Sequence, residues 1–503
     1  MAIISETERP EPDNPLEGTV RLDGAPPVEE GKELDRRSAS AFQVFGQSVA
    51  ATGPSIAISG TIAVVYLNAG NGTIWSYIFA TIVLVLVGYI ISVFARRTAA
   101  AGSLYSYTSL GLGKGSAFVG GWGLIFGYVL IGAACLSGSS LYVGSFLSKF
   151  GLNGASRAYQ VPLVIVIGLI AAYIPLRGVH VSTLATVILE LVSLIAIFVL
   201  VVALFVHFGA HIDTAQFKAK GATTTGIVLG TVLAFGAFTG FESSASLGIE
   251  AKHPHKAIPR AVLLTVVGAG VLYIIAAYAQ VLGFGSASSL AQASAPLNAL
   301  ATTANIGWLA YPLDIAVAIA ALACSSACLN AASRGLYSLG REEVLPASFG
   351  RSHATYKTPH IALYVLTPVL IAVPAIILAY GTAPLNVFSY LGTPGTFGYL
   401  VAYVLVAISA PIYLARRKAF SILTLVVSVL VTVAVAYVFY KNLVPVPPSP
   451  YNILPYIFFA WAAIGIVWYL VLKVKNPERA ARLGSLQEVA DLESVIALEL
   501  SDQ

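Results

Sequence analysis

The chain has 503 residues, of which 57% are hydrophobic and only 10% charged, and its formal net charge is +5. A soluble domain carries about 25% charged residues, so this composition excludes an ordinary water-soluble globule and makes the bilayer the solvent for most of the chain. Cys135, Cys324 and Cys328 lie in apolar runs without zinc-like spacing, and the seven histidines fall at segment ends or in loops, which argues against a disulfide framework and against a His/Cys metal centre.

Residues 1–37 are polar and carry several prolines, and they read as a disordered cytoplasmic tail. A helix needs about 20 mostly apolar residues to cross the hydrocarbon core. Twelve such runs follow: 41–68, 74–94, 117–146, 161–176, 182–206, 226–247, 261–282, 311–330, 361–380, 387–408, 422–440 and 453–472. They are called spans 1 to 12 below. With a cytoplasmic N-terminus, the inner loops collect Arg96, Arg97, Lys114, Arg177, Lys252, Lys256, Arg260, Arg334, Arg341 and the basic cluster Arg416–Lys418. The outer loops hold only Lys149, Arg157, Lys218, Lys220 and Lys441. The positive-inside rule therefore predicts both termini in the cytoplasm. Residues 38–475 form the membrane domain, with two halves over about 41–206 and 226–408 and two extra helices over 422–472. Residues 476–503 form a second cytoplasmic tail, of which 483–500 could be a short amphipathic helix or, equally, part of a solvated, partly ordered tail.

Two spans are interrupted at matching positions. Span 1 reads Ala51-Thr52-Gly53-Pro54-Ser55-Ile56-Ala57, and span 6 reads Phe238-Thr239-Gly240-Phe241-Glu242-Ser243-Ser244. Proline removes a backbone donor and glycine lets the chain open. Breaks five spans apart are the mark of an inverted-repeat transporter. An opened half-helix offers N–H groups and a positive dipole end to a carboxylate, and its opposite end offers carbonyls to an ammonium. The expected substrate contacts are Thr52, Gly53, Ser55, Ile56, Ala57, Phe238, Thr239, Gly240, Phe241 and Glu242, with Phe388 at the border. The alternative for each break is a simple packing kink.

Charged side chains within the spans are Glu190, Glu242 and Asp314. Such groups are costly in a membrane and mark function by default. Glu190 stands in Val187-Ile188-Leu189-Glu190-Leu191-Val192, where a carboxyl can exchange a proton, so it is the expected proton-coupling residue; a hydrogen-bonded structural carboxyl is the alternative. Glu242 follows the span 6 break and is expected either to touch substrate or to satisfy the loosened backbone. Asp314 reads as a helix-start residue in wet surroundings. Ser325 and Ser326 of span 8 offer two hydroxyl oxygens to sodium, or to their own helix backbone.

Three stretches carry a family resemblance. The first runs from Gly240-Phe241-Glu242 through Glu250-Ala251-Lys252 to Ala257-Ile258-Pro259-Arg260-Ala261. The second is Ser333-Arg334 with Arg341-Glu342-Glu343-Val344-Leu345-Pro346 and Lys357-Thr358-Pro359-His360. The third is Phe94-Ala95-Arg96-Arg97 with Ala101-Gly102-Ser103-Leu104-Tyr105-Ser106-Tyr107. The chain resembles the amino acid–polyamine–organocation (APC) superfamily. That resemblance implies an all-α polytopic fold of the LeuT type, a five-plus-five inverted repeat followed by two helices. It also implies transport of an amino acid or related amine across the cell membrane by alternating access. Many members carry Gly-Ser-Gly at the span 1 break, whereas Pro54 here withdraws one amide. Proton-coupled relatives can place a lysine on span 5, and this chain has Glu190 instead. Coupling to protons is expected, with sodium symport and exchange as alternatives. No cofactor, metal or nucleic acid partner is expected, and the competing reading from another class is a nutrient receptor on a transporter scaffold.

Overall fold

The protein is described from a computed structural model, which covers residues 19–21, 34, 37–209, 212–285, 295–446, 449–484 and 487–490. Among the described residues, ten helical stretches are long and apolar enough to cross a membrane. The first, Ala41–Ala95, contains both span 1 and span 2. The remaining nine are Lys114–Ser148, Arg157–Leu176, Thr186–Phe208, Pro254–Phe284, Gly307–Arg341, His360–Ala379, Pro384–Arg416, Ile422–Lys441 and Leu454–Lys475. They coincide with spans 3 to 5 and 7 to 12. Span 6 is a shorter apolar helix, Thr224–Gly236, followed by turns and a 3₁₀ segment, Ser243–Leu247.

The burial pattern follows from the bilayer as solvent. Span 3 and span 8 have windows 83% buried and are enclosed by the bundle, whereas the span 12 window is 17% buried and turns most of its surface outward. Span 3 packs by small residues: Gly123 and Gly127 lie against Gly398 and Gly395 of span 10, where an added methyl group would meet backbone oxygens. Close approach of backbones at glycine replaces the hydrophobic drive that lipid cannot supply. Span 11 and span 12 stand at the periphery, with span 12 stacked on span 3 through Trp461 and Trp122 (ring centroids 4.4 Å apart).

The end of the bundle that carries the chain termini is closed by polar groups. Arg334 of span 8 donates to both oxygens of Glu250, at 2.6 and 2.9 Å, and both side chains are almost fully buried. Arg334 also meets Asn330 Oδ1, and Asn330 donates to Gln47 of span 1 at 3.0 Å. Asp314, at the opposite end of span 8, is near its helix start as expected. It is fully buried rather than wet, and it is paired with Lys149 and with Asn298.

Parts of both tails are ordered against this closed end. Thr19–Arg21 and Thr98–Ala100 each pair antiparallel with Gln487–Ala490, which lies between them. Ala39 pairs with Ala251 through two backbone hydrogen bonds. Leu483 is buried, and Gly484 N–H donates to Tyr105 Oη at 2.8 Å. Three residues read as part of a disordered tail are therefore strand, and within the stretch read as a short helix residues 487–490 are strand. The reason is an available edge: the loop between span 2 and span 3 offers unpaired backbone groups to the tails. Residues 1–18, 22–33, 35–36, 485–486 and 491–503 lie outside the described residues.

Truncating one partner of the buried pair leaves an uncompensated charge. Arg334→Ala is expected to cost about 3–5 kcal/mol and to lower the unfolding temperature in detergent, while Arg334→Met combined with Glu250→Leu restores most of it. Equal melting of Arg334→Ala and the parent protein would show that the pair is not a stability element.

Candidate functional site

The span 1 break is built by its two least helical residues. Helix Ala41–Thr52 ends at Gly53, whose φ of 57° is left-handed, and Pro54 starts the next helical turn, where its missing N–H costs nothing. The continuation includes a π-helical turn, Ala57–Thr61, before Ile62–Ala69. Gln280 of span 7 donates to the Ile58 carbonyl of that turn at 2.8 Å. Span 6 opens after Gly236, and Gly240 takes a φ of 100°.

The two breaks touch each other. A methyl group at Gly240 would lie 2.5 Å from the Ala51 carbonyl oxygen, and one at Gly53 would lie 2.8 Å from Cys324 Sγ. Both glycines are required by positive φ and by space. Toward the chain termini, Ser243 donates to the Gln47 carbonyl at 3.1 Å, and Ser244 N–H donates to Ser48 Oγ at 3.1 Å. The halves of spans 1 and 6 on that side are thus sewn together.

The freed backbone groups have specific partners. Ser55 N–H donates to Oε1 of Glu190 on span 5 at 2.8 Å, with both residues buried. Oε2 of Glu190 and Oγ of Ser55 have no hydrogen-bond partner. With Pro54 lacking an amide and Ser55 engaged, Glu190 occupies the N-terminus of this half-helix. On the carbonyl side, the thiols of Cys324 and Cys328 point to Ala51 oxygen at 3.3 and 3.8 Å.

A cavity of about 90 Å³ lies between the breaks. Thr52, Ile56, Ala57 and Thr239 of the expected contacts line it, together with Phe388. The cavity extends past Thr61 and Val64 of span 1 and Thr393 and Thr396 of span 10 to Asn442 and Tyr451. Those last two residues lie at the end of the bundle away from the termini, so the cavity points to that end while the other is closed. Its polar lining is hydroxyl, amide and thiol, and none of the three intramembrane carboxylates lines it.

Several expected residues stand elsewhere. Gly53, Ser55 and Gly240 shape the breaks but do not line the cavity. Phe238 is buried edge-on against Tyr273, and Phe241 packs against Tyr403. Glu242 accepts hydrogen bonds from Tyr128 of span 3 at 2.8 Å and Tyr403 of span 10 at 2.7 Å. Its carboxylate ties span 6 to two other spans and is turned away from the cavity. Ser325 and Ser326 are fully buried, do not line the cavity, and have no hydrogen-bond partner for either hydroxyl. The residues that sequence reasoning passed over are Cys135 and Cys324, which do line the cavity, and the Glu250–Arg334 pair. The cysteines gave no signal because their convergence joins span 3 to span 8. The ion pair had one, since both members sit in the quoted family stretches.

Comparison with known proteins gives the family and the fold. The family described as "Amino acid permease" matches residues 40–471. The branched-chain amino acid permease BcaP of Bacillus subtilis (strain 168) is 24% identical over 374 residues, covering 72% of this chain and 76% of that protein. The methylthioribose transporter of the same organism is 28% identical over 321 residues, covering 60% and 66%. Among solved structures, a substrate-bound, outward-open Na⁺-coupled sialic acid symporter superposes with a TM-score of 0.50 at 16% identity, covering 81% of this chain and 92% of that one. That last likeness concerns the fold, and it supports the LeuT-type architecture.

A side chain at position 240 must displace the Ala51 carbonyl from its place beside the break. Gly240→Val is expected to abolish ligand binding while the protein still inserts in the membrane, measured by thermal stabilisation against ligand. Near-normal affinity would reduce the break to a kink.

Proposed function

Because this chain belongs to the amino acid permease family of the APC superfamily and is a multi-pass membrane protein, we propose that it is a secondary transporter that carries a small amino acid inward with a proton. With the termini in the cytoplasm, as the distribution of basic residues predicts, the cavity faces outward and the Arg334–Glu250 end is the closed inner gate. The observation that carries the coupling is the hydrogen bond from Ser55 N–H to Glu190.

Ser55 does not line the cavity in this conformation; once the breaks shift to admit a substrate, ionised Glu190 and the substrate carboxylate compete for the same amide. Protonation removes the charge, weakens Glu190 as an acceptor, and leaves the amide to the substrate. On the inner side, loss of the proton returns Glu190 to the amide and expels the substrate. One proton then accompanies each carboxylate, with no contact required between proton and substrate. Glu190 makes no ion pair among the described residues. The titratable side chains around it are Cys324 of span 8, Cys135 of span 3 and Tyr273 of span 7, so no neighbouring fixed charge offsets the proton.

The cavity's size and lining favour a small ligand with an apolar or hydroxyl-bearing side chain. No acidic cluster lines the cavity to hold a polyamine. The name of one relative, a branched-chain amino acid permease, points the same way. One observation favours a second reading. The hydroxyls of Ser325 and Ser326 are buried without partners, an unusual and costly state, and sodium would satisfy them. Coupling to sodium is then the alternative.

The test is uptake by proteoliposomes of leucine, isoleucine, valine, alanine, serine and a set of amines, under an imposed proton or sodium gradient. Accumulation driven by an inward proton gradient, lost with a protonophore and indifferent to sodium, is the expected result. Sodium-driven accumulation would replace the proton reading, and no uptake of any member would overturn the substrate class. Glu190→Gln is expected to keep ligand binding, make it independent of pH, and abolish proton-driven accumulation. Unchanged accumulation in that variant would remove Glu190 from the coupling step.

A further inference from the structure

Three thiols meet at the span 1 break. Cys135 of span 3 directs its Sγ to Cys324 Sγ of span 8 at 3.3 Å, and Cys324 Sγ in turn approaches the Ala51 carbonyl at 3.3 Å. Cys328, one turn along span 8, reaches the same carbonyl at 3.8 Å. All three are free and buried. Cys135 and Cys324 line the central cavity and Cys328 does not. The proposed transport reaction uses none of them.

We propose that Cys135 and Cys324 form a reversible dithiol–disulfide pair that small oxidants reach through the cavity, and that its oxidation lowers transport. A disulfide needs the sulfurs about 2.05 Å apart, and the two start at 3.3 Å on side chains that already point at each other. The approach is on the order of 1 Å. The oxidant that fits is a hydroperoxide, being neutral and little larger than water. The O–O bond of hydrogen peroxide breaks as one thiol becomes a sulfenic acid and a water leaves. The second thiol then displaces the hydroxyl from that sulfur as a second water, and the S–S bond forms. Two thiols and one peroxide yield one disulfide and two waters. A small dithiol reductant reverses the step by exchange.

The consequence lies at the break. In the reduced state the Cys324 S–H is a donor to the Ala51 carbonyl, one of the last carbonyls of the half-helix Ala41–Thr52 and the atom against which Gly240 packs. Oxidation removes that donor, draws the sulfur away from the carbonyl and leaves only Cys328 at the longer distance. The same bond joins two walls of the cavity. The inference does not rest on which solute is carried.

The first measurement is peptide mapping of the intact protein in lipid after hydrogen peroxide, without reduction. The expected result is a Cys135–Cys324 cross-linked peptide and a fall from three titratable thiols to one, both reversed by dithiothreitol, with a higher unfolding temperature in the oxidised form. Uptake of the solute accumulated in the liposome assay falls several-fold on oxidation and recovers on reduction. Cys135→Ala and Cys324→Ala lose the sensitivity, and Cys328→Ala keeps it. Three thiols surviving peroxide, or a cross-link through Cys328, would overturn the pair. A complete disulfide with unchanged uptake would overturn its effect on transport.

Discussion

A helix opened within the bilayer exposes amides and carbonyls that lipid cannot hydrogen-bond, and each must find a partner or cost several kcal/mol. This protein meets that constraint with side chains from distant spans. Glu190 takes the amide of Ser55, thiols from span 8 take the carbonyl of Ala51, and Ser48 and Ser243 join the two opened spans to each other. The ligand cavity exists because these partners hold the breaks open without filling the space between them. Side chains supply the satisfaction, so it is conditional on their protonation and oxidation state, which backbone hydrogen bonds are not.

The architecture was legible because it rests on local and additive signals. Length and hydropathy located the spans, including the short fourth one, which forms a full helix over Arg157–Leu176 despite Pro162 and Pro175. The breaks were legible because Gly53, Pro54 and Gly240 are the residues that left-handed backbone and a helix start demand. Glu190 was legible as a buried carboxyl. Its contact with Ser55 was not, since the two are 135 residues apart and nothing in either segment names the other. For Glu242, the second of the two expected roles, a carboxylate bound to the structure around the break, fits its contacts. Sequence placed it beside the break, where it is, but its direction is set by Tyr128 and Tyr403, two residues on other spans that turn it away from the cavity. The strands Thr19–Arg21 and Gln487–Ala490 were not legible because they depend on an edge supplied by another part of the chain.

The two ends of the bundle differ in kind. The open end is lined by hydroxyl, amide and aromatic side chains, while the closed end is held by a buried ion pair, a tyrosine–carboxylate–tyrosine bridge and ordered parts of both tails. Opening the closed end would separate groups that are strongly stabilised only while paired. The barrier to reversing the cavity therefore lies on the side of the termini.

The π-helical turn Ala57–Thr61 fits one more residue into its turn than an α-helix would. Each residue of an α-helix advances the face by about 100°. A single-residue deletion within that turn would leave a straighter and more regular helix, and would rotate either the Thr52 and Ile56 end or the Thr61 and Val64 end off the cavity. Insertions and deletions are usually tolerated in loops; here a gap of one position in the middle of a membrane helix would change which side chains face the solute. In this protein, the lining of the cavity can thus be altered by chain length at one turn, with every surrounding residue type left as it is.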